Sequence, residues 1–151
     1  MNGAADDGAL ALEATAVKLL AVREHSTLEL RDKLAARFPD PDLVAQVLAD
    51  LQRRNLLSDE RFTEQYVAMR TRKGYGPLRI RAELVERGVA AELIEAWLDP
   101  GASAWLQSMR EVARQRFGDA AAADRREQAQ RARFLQYRCF PESLIRSYLW
   151  D

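Results

Sequence analysis

One internal echo constrains this chain more than anything else in it. Leu34, Leu84 and Leu135 are each followed nine residues later by a second leucine, Leu43, Leu93 and Leu144. The correspondence continues through Val44, Ile94 and Ile145, then Val47, Trp97 and Tyr148, then Leu48, Leu98 and Leu149, with Arg37, Arg87 and Arg138 also in register. A period near 50 residues repeated three times means a tandem array of small units, each of which buries a modest core and gains stability from its neighbour.

Within each copy the apolar spacing is helical. Leu30, Leu34 and Phe38, then Leu43, Val44, Val47, Leu48 and Leu51, fall on i, i+3, i+4 positions, and no segment alternates with period two. Local signals mark the ends. Ser26 with Glu29 three residues on is a capping box, while Asp40-Pro41, Gly76-Pro77 and Phe140-Pro141 place proline where a first helical turn accepts it. Gly74, Gly88 and Gly118 follow periodic segments and suit left-handed helix ends. Nine helices are expected, over 10–24, 27–38, 41–54, 59–73, 77–87, 90–98, 103–117, 122–138 and 141–150. The fold class is all-α: three tandem three-helix repeats over 9–57, 58–99 and 102–151, in an elongated, curved arrangement behind a flexible segment 1–8, with "LDPG" at 98–101 separating the second and third copies.

Charge is unevenly placed. The chain carries 23 basic and 23 acidic residues, so attraction to a polyanion must come from local patches. The stretch "MRTRKGYGPLRIR" at 69–81 holds five cations, with no carboxylate between Glu64 and Glu83. Arg70, Arg72 and Lys73 have no acid one helical turn away, and Arg81 has none either. Arg79 and Arg87 both have Glu83 within reach at four residues. These six are candidate partner or DNA contacts, the unpaired four ahead of the other two. Tyr75, between two glycines, either stacks on a base or partner pocket or covers the corner of its own repeat. Gly74, Gly76 and Pro77 read as helix stop, turn and helix start, with an anion nest of backbone N–H groups as the alternative. In the third copy Arg125, Arg126, Arg131, Arg133 and Arg138 form a second cationic set, in which Glu127 can pair with Arg131; a plain solvated face is the other reading. Ser58, Asp59 and Glu60 are ordinary helix-start chemistry. Phe62, Tyr66, Met69, Trp97, Trp105, Tyr148 and Trp150 sit at packing positions.

Several functions find no support. His25 and Cys139 are each the single residue of their type, so neither a disulfide nor a cluster of His and Cys metal ligands can be built within one chain. The glycine-rich corner lacks the Gly-Lys-Ser/Thr continuation of a nucleotide loop. No apolar run approaches the ~20 residues of a membrane span. The expectation is a cytoplasmic, non-enzymatic protein with no cofactor, no metal, no small-molecule substrate and no membrane contact.

"LLSDERFTEQYVAMRTRKGYGPLRIRAELVERGVAAELIEAWL" at 56–98 closely resembles the central repeat of the bacterial RecX regulatory proteins, and "LLAVREHSTLELRDKLAARF" at 19–38 resembles their first. From 102 to 151 the resemblance rests on "RFLQYRCFPESLIRSYLW" and on the repeat spacing. The resemblance implies a three-repeat, nine-helix protein that binds RecA filaments on single-stranded DNA, lodging in the helical groove and damping strand exchange, ATP hydrolysis and the co-protease activity of the SOS response. A direct DNA-binding helical-repeat protein is the alternative, with only weak DNA contact expected on the first reading.

Overall fold

The structure, a computed structural model, describes residues 3–99 and 103–150. Among these, nine helices and no strands are present: α1 (Gly3–Val22), α2 (Thr27–Ala35), α3 (Pro41–Arg53), α4 (Asp59–Arg72), α5 (Pro77–Glu86), α6 (Ala91–Trp97), α7 (Ser103–Phe117), α8 (Arg125–Tyr137) and α9 (Glu142–Trp150). They follow the three triplets in chain order. Residues 1–2 of the segment expected to be flexible, and Pro100 and Gly101 of the expected separator, lie outside the described residues.

The boundaries follow from local chemistry. Ser26 accepts the Glu29 N–H while Glu29 accepts the Ser26 N–H, so the capping box forms in full. Asp40 caps α3 and Pro41 occupies its first turn, where a missing N–H costs nothing. Gly74, Gly88 and Gly118 all have positive φ, as helix-ending residues without a Cβ can adopt freely. Most ends differ from the sequence reading by one to three residues and the start of α1 by more; three starts have a clear local account. α1 begins at Gly3, so residues 3–8 are its first turns; alanine and leucine propensity carries the helix toward the terminus. α8 begins at Arg125 because the Asp124 carboxylate accepts the Glu127 N–H, which fixes the start three residues later than expected. Pro141 precedes α9, its carbonyl accepting from Leu144 and Ile145.

The described chain packs as two compact units, Met1–Gln65 with Val85–Leu93, and Tyr66–Leu84 with Ile94–Asp151. In the first, Leu12 and Ala16 of α1 meet Leu30 and Leu34 of α2 and Val44, Val47, Leu48 and Leu51 of α3 in one cluster closed by Leu57. Each fully buried leucine contributes roughly 1.5–3 kcal/mol by leaving water. Asp59 at the start of α4 accepts hydrogen bonds from both the N–H and hydroxyl of Thr27, and Arg61 pairs with Glu24 at 2.8 Å. Helix-start residues therefore also fasten α4 onto the first triplet. In the second unit Tyr66, Ile80, Leu84, Ile94, Leu98, Trp105, Met109, Leu135 and Ile145 are buried. Trp97 and Trp150 depart from their expected packing role, for they are 37% and 67% exposed.

Candidate binding cleft

The glycine corner between α4 and α5 is the first piece of the site, and its backbone groups are already engaged. The Gly76 N–H donates to the Arg138 carbonyl at 2.6 Å and the Leu78 N–H to the Cys139 carbonyl at 3.2 Å. A Cβ at Gly76 would stand 2.4 Å from the Cys139 oxygen, so glycine is required here by close approach of a second backbone. The anion nest considered from sequence is thereby overturned: the N–H groups that would have made it bind the end of α8.

Charges on the corner are also redistributed. Arg70 Nε lies 3.0 Å from Glu83 Oε1, with both side chains largely covered, and Arg81 pairs with Glu95. Neither arginine is the unpaired cation that its own helical turn suggests. The α4–α5 return brings an acid 13 residues away against Arg70, and α6 brings one 14 residues away against Arg81. The Glu95 hydrogen bond holds Arg81 protonated more firmly than usual. Arg79 stacks on Tyr75 at 4.3 Å, Arg70 at 4.0 Å and Arg138 at 5.3 Å. Of the two roles left open for Tyr75, this geometry fits a ring that covers its own corner and holds three guanidinium groups by cation–π attraction.

Arg72 and Lys73 are different. Both are exposed and neither has an ion pair among the described residues. They form one wall of an open cleft of about 710 Å³ whose opposite side is built by α7 and α8. Arg116 and Arg138 complete its cationic lining, and Gln107, Ser108 and Gln115 add neutral donors. Arg138 is fixed by donating to the Lys73 carbonyl at 3.1 Å and by stacking on Phe134 at 5.3 Å; Arg116 lies over the same ring at 5.6 Å. Glu111 is the one carboxylate in the lining, and Arg114 grips it in a fork, Nη2 to Oε1 at 2.6 Å and Nε to Oε2 at 3.0 Å. That hydrogen bonding holds the Glu111 carboxyl below its ordinary range and leaves its charge already answered. Four cations thus face an open groove with no free acid among them.

Sequence reasoning named Arg72 and Lys73 and missed Arg116, because α7 joins this wall only through tertiary packing. Its "RQR" run at 114–116 was the available signal.

Residues 14–51 match the family described as "RecX, first three-helix domain", and residues 58–98 match "RecX, second three-helix domain". This chain belongs to the RecX family. "Regulatory protein RecX" of Pseudomonas savastanoi pv. phaseolicola is 40% identical over 139 residues, covering 92% of this chain and 90% of that protein. The protein of the same name from Halorhodospira halophila is 43% identical over 137 residues, covering 91% and 85%. In fold, the chain is similar to the crystal structure of RecX from Lactobacillus salivarius, with a TM-score of 0.79 at 19% identity over 95% of this chain and 96% of that one.

The third triplet of this RecX-family chain places its cationic set in two ways. Arg125, Arg126 and Arg133 are exposed on α8 and have no ion pair among the described residues. Arg131 is 3% exposed and is not a surface contact, contrary to its expected role. Its Nη2 donates to Glu127 at 2.7 Å, the helical pair foreseen from spacing, and its Nη1 to the Tyr148 hydroxyl at 2.9 Å. Burial pushes this guanidinium down, and the two hydrogen bonds more than reverse it. Arg87 is half-buried beside the positive-φ Gly88. Among the described residues no three His, Cys, Asp or Glu side chains gather as a metal site, and no helix is long and apolar enough to cross a membrane.

Proposed function

We propose that this chain is a non-enzymatic regulator that binds RecA filaments on single-stranded DNA and restrains their recombinase, ATPase and co-protease activities. Membership of a family whose relatives are named regulatory proteins supports the class of function. The observation that carries the contact surface is the cleft in which Arg72, Lys73, Arg116 and Arg138 stand without a free carboxylate.

The physical argument is one of multivalency. An exposed cationic side chain gains little from a single ion pair, on the order of 0.2–1 kcal/mol. Several such contacts repeated along a filament add through effective concentration, so a regulator seated in the groove and bridging successive subunits binds well from modest parts. The exposed Arg72 and Lys73, with the exposed Arg125, Arg126 and Arg133 of α8, provide contacts of this kind. ATP enters through RecA in this scheme.

A second reading, direct binding to DNA, is favoured by the same cleft, since a groove of arginine, lysine and amide side chains matches a phosphate backbone. The two part under one experiment. The protein is added to preformed RecA–single-stranded DNA filaments and ATP hydrolysis is followed with and without excess bare DNA. Inhibition that survives the competitor supports filament recognition. Inhibition titrated away by bare DNA, together with DNA binding that falls steeply with salt, supports the second reading.

A further inference from the structure

We propose that a second cleft, walled by the C-terminal half of α7, the loop after it and the facing parts of α8 and α9, is a binding site for a phosphate group carried on a small, partly apolar ligand of the nucleotide class. The cleft measures about 470 Å³, within the range of small-molecule sites, and lies wholly inside the second compact unit. It is distinct in lining from the cleft described above and does not rest on the filament reading.

Arg131 is the central observation. It is 3% exposed, it borders this cleft, and its Nε has no hydrogen-bond partner among the described residues. Buried guanidinium donors are normally satisfied, and an unpaired one signals a ligand or strain. Its carboxylate partner is already engaged on both oxygens, Glu127 Oε1 accepting from Arg131 Nη2 and Oε2 accepting the Ala123 N–H at 2.7 Å. Tyr148 accepts from Arg131 through its hydroxyl oxygen, which leaves the hydroxyl proton for another acceptor. The Arg131 Nε–H and the Tyr148 hydroxyl proton are the donors left without an acceptor among the described residues.

The α7 wall repeats the bias. Arg110 is exposed with no ion pair among the described residues, and Arg114 uses Nε and Nη2 on Glu111 while Nη1 remains. Asp119 is the one acid of the lining, close enough to Arg114 for its charge to favour the protonated guanidinium. Arginine forks suit phosphate oxygens geometrically as well as electrically. Ala120, Ala121, Ala122 and Leu149 supply an apolar floor for the rest of the ligand.

The test is a titration with inorganic pyrophosphate, a mononucleoside monophosphate and a short oligonucleotide, followed by calorimetry at fixed ionic strength against chloride. Pyrophosphate and the mononucleotide are expected to bind with sub-millimolar Kd, the mononucleotide the tighter. Arg110→Gln, an exposed change that leaves folding alone, and Tyr148→Phe should each weaken both at least fivefold, whereas Arg72→Gln with Lys73→Gln should leave them unchanged. If the oligonucleotide binds more tightly than either and shows the same Arg110 dependence, the small-ligand proposal is overturned in favour of a strand's phosphate. Absence of binding above the chloride control, or binding removed by the Arg72/Lys73 pair and indifferent to Arg110→Gln, overturns the proposal.

Discussion

Arg70 and Glu83, 13 residues apart in the chain, form an ion pair at 3.0 Å with side chains only 14% and 19% exposed. Glu83→Ala would leave a covered guanidinium without its carboxylate, at a cost of ~2 kcal/mol, between the values for an unmet hydrogen bond and for a broken buried pair. In a chain of this size that lowers Tm by ~4–8 °C. A double-mutant cycle with Arg70→Ala and Glu83→Ala checks it: a coupling energy near zero would show that the pair holds nothing together.

The contrast lies one turn on. Arg72 and Lys73 are exposed and without ion pairs among the described residues, so Arg72→Glu with Lys73→Glu should leave helicity and Tm unchanged while inhibition of filament ATPase falls at least tenfold in potency. Arg116→Glu, on the opposite wall of the same cleft, should weaken it in the same direction. Full inhibitory potency in all three changes together removes this cleft from the interface.

These two cases mark what the sequence could and could not say. The triplets were legible from leucines that recur at a period near 50 residues, and the Ser26 capping box and the left-handed Gly74, Gly88 and Gly118 because each is settled within a few residues. Pairing of Arg70 with Glu83 and of Arg81 with Glu95 was not, because helical spacing rules see only partners on the same helix, and these acids come from a neighbouring one. The same limit hid Arg116 from the cleft and concealed that Arg131, read as one of a run of surface arginines, is inside. Glu127 at i−4 gave half of its environment; Tyr148, which supplies the other half, lies 17 residues along the chain.

Cys139 gives a prediction in the opposite sense. It has φ of 66°, the conformation that Gly88 adopts at the matching place in the second copy with φ of 74°. A residue with a Cβ is strained there by roughly 1 kcal/mol. Cys139→Gly should relieve that strain, less the entropy glycine adds to the unfolded chain, for a net gain of about 0.5 kcal/mol in denaturant unfolding. Gly76→Ala, by contrast, drives a Cβ against the Cys139 carbonyl and should cost about 1–3 kcal/mol. Equal effects of the two changes would refute the docking of this corner on the end of α8.

His25 makes the first unit sensitive to acid. Its ring is 1% exposed, with Nδ1 3.0 Å from the Arg23 carbonyl and Nε2 2.8 Å from Lys33 Nζ. Lysine has only donors, so Nε2 must accept and Nδ1–H must donate to the carbonyl, which fixes the neutral tautomer. Burial pushes the imidazolium below its ordinary 6.5, the Arg23 carbonyl pushes back, and the Arg23 and Lys33 charges add to burial. The folded value is therefore the lower one. Above pH 6.5 the ring is neutral in both states and its contribution is whole; below 6.5 the unfolded chain takes a proton that the folded chain refuses, and stability is lost until the folded value is passed. His25→Gln, whose amide can donate to the Arg23 carbonyl and accept from Lys33, should flatten the fall in unfolding free energy between pH 6.5 and pH 5 while the wild type keeps it, as measured by urea denaturation across that range. Parallel pH profiles for the two proteins would show that the histidine is not the titrating group.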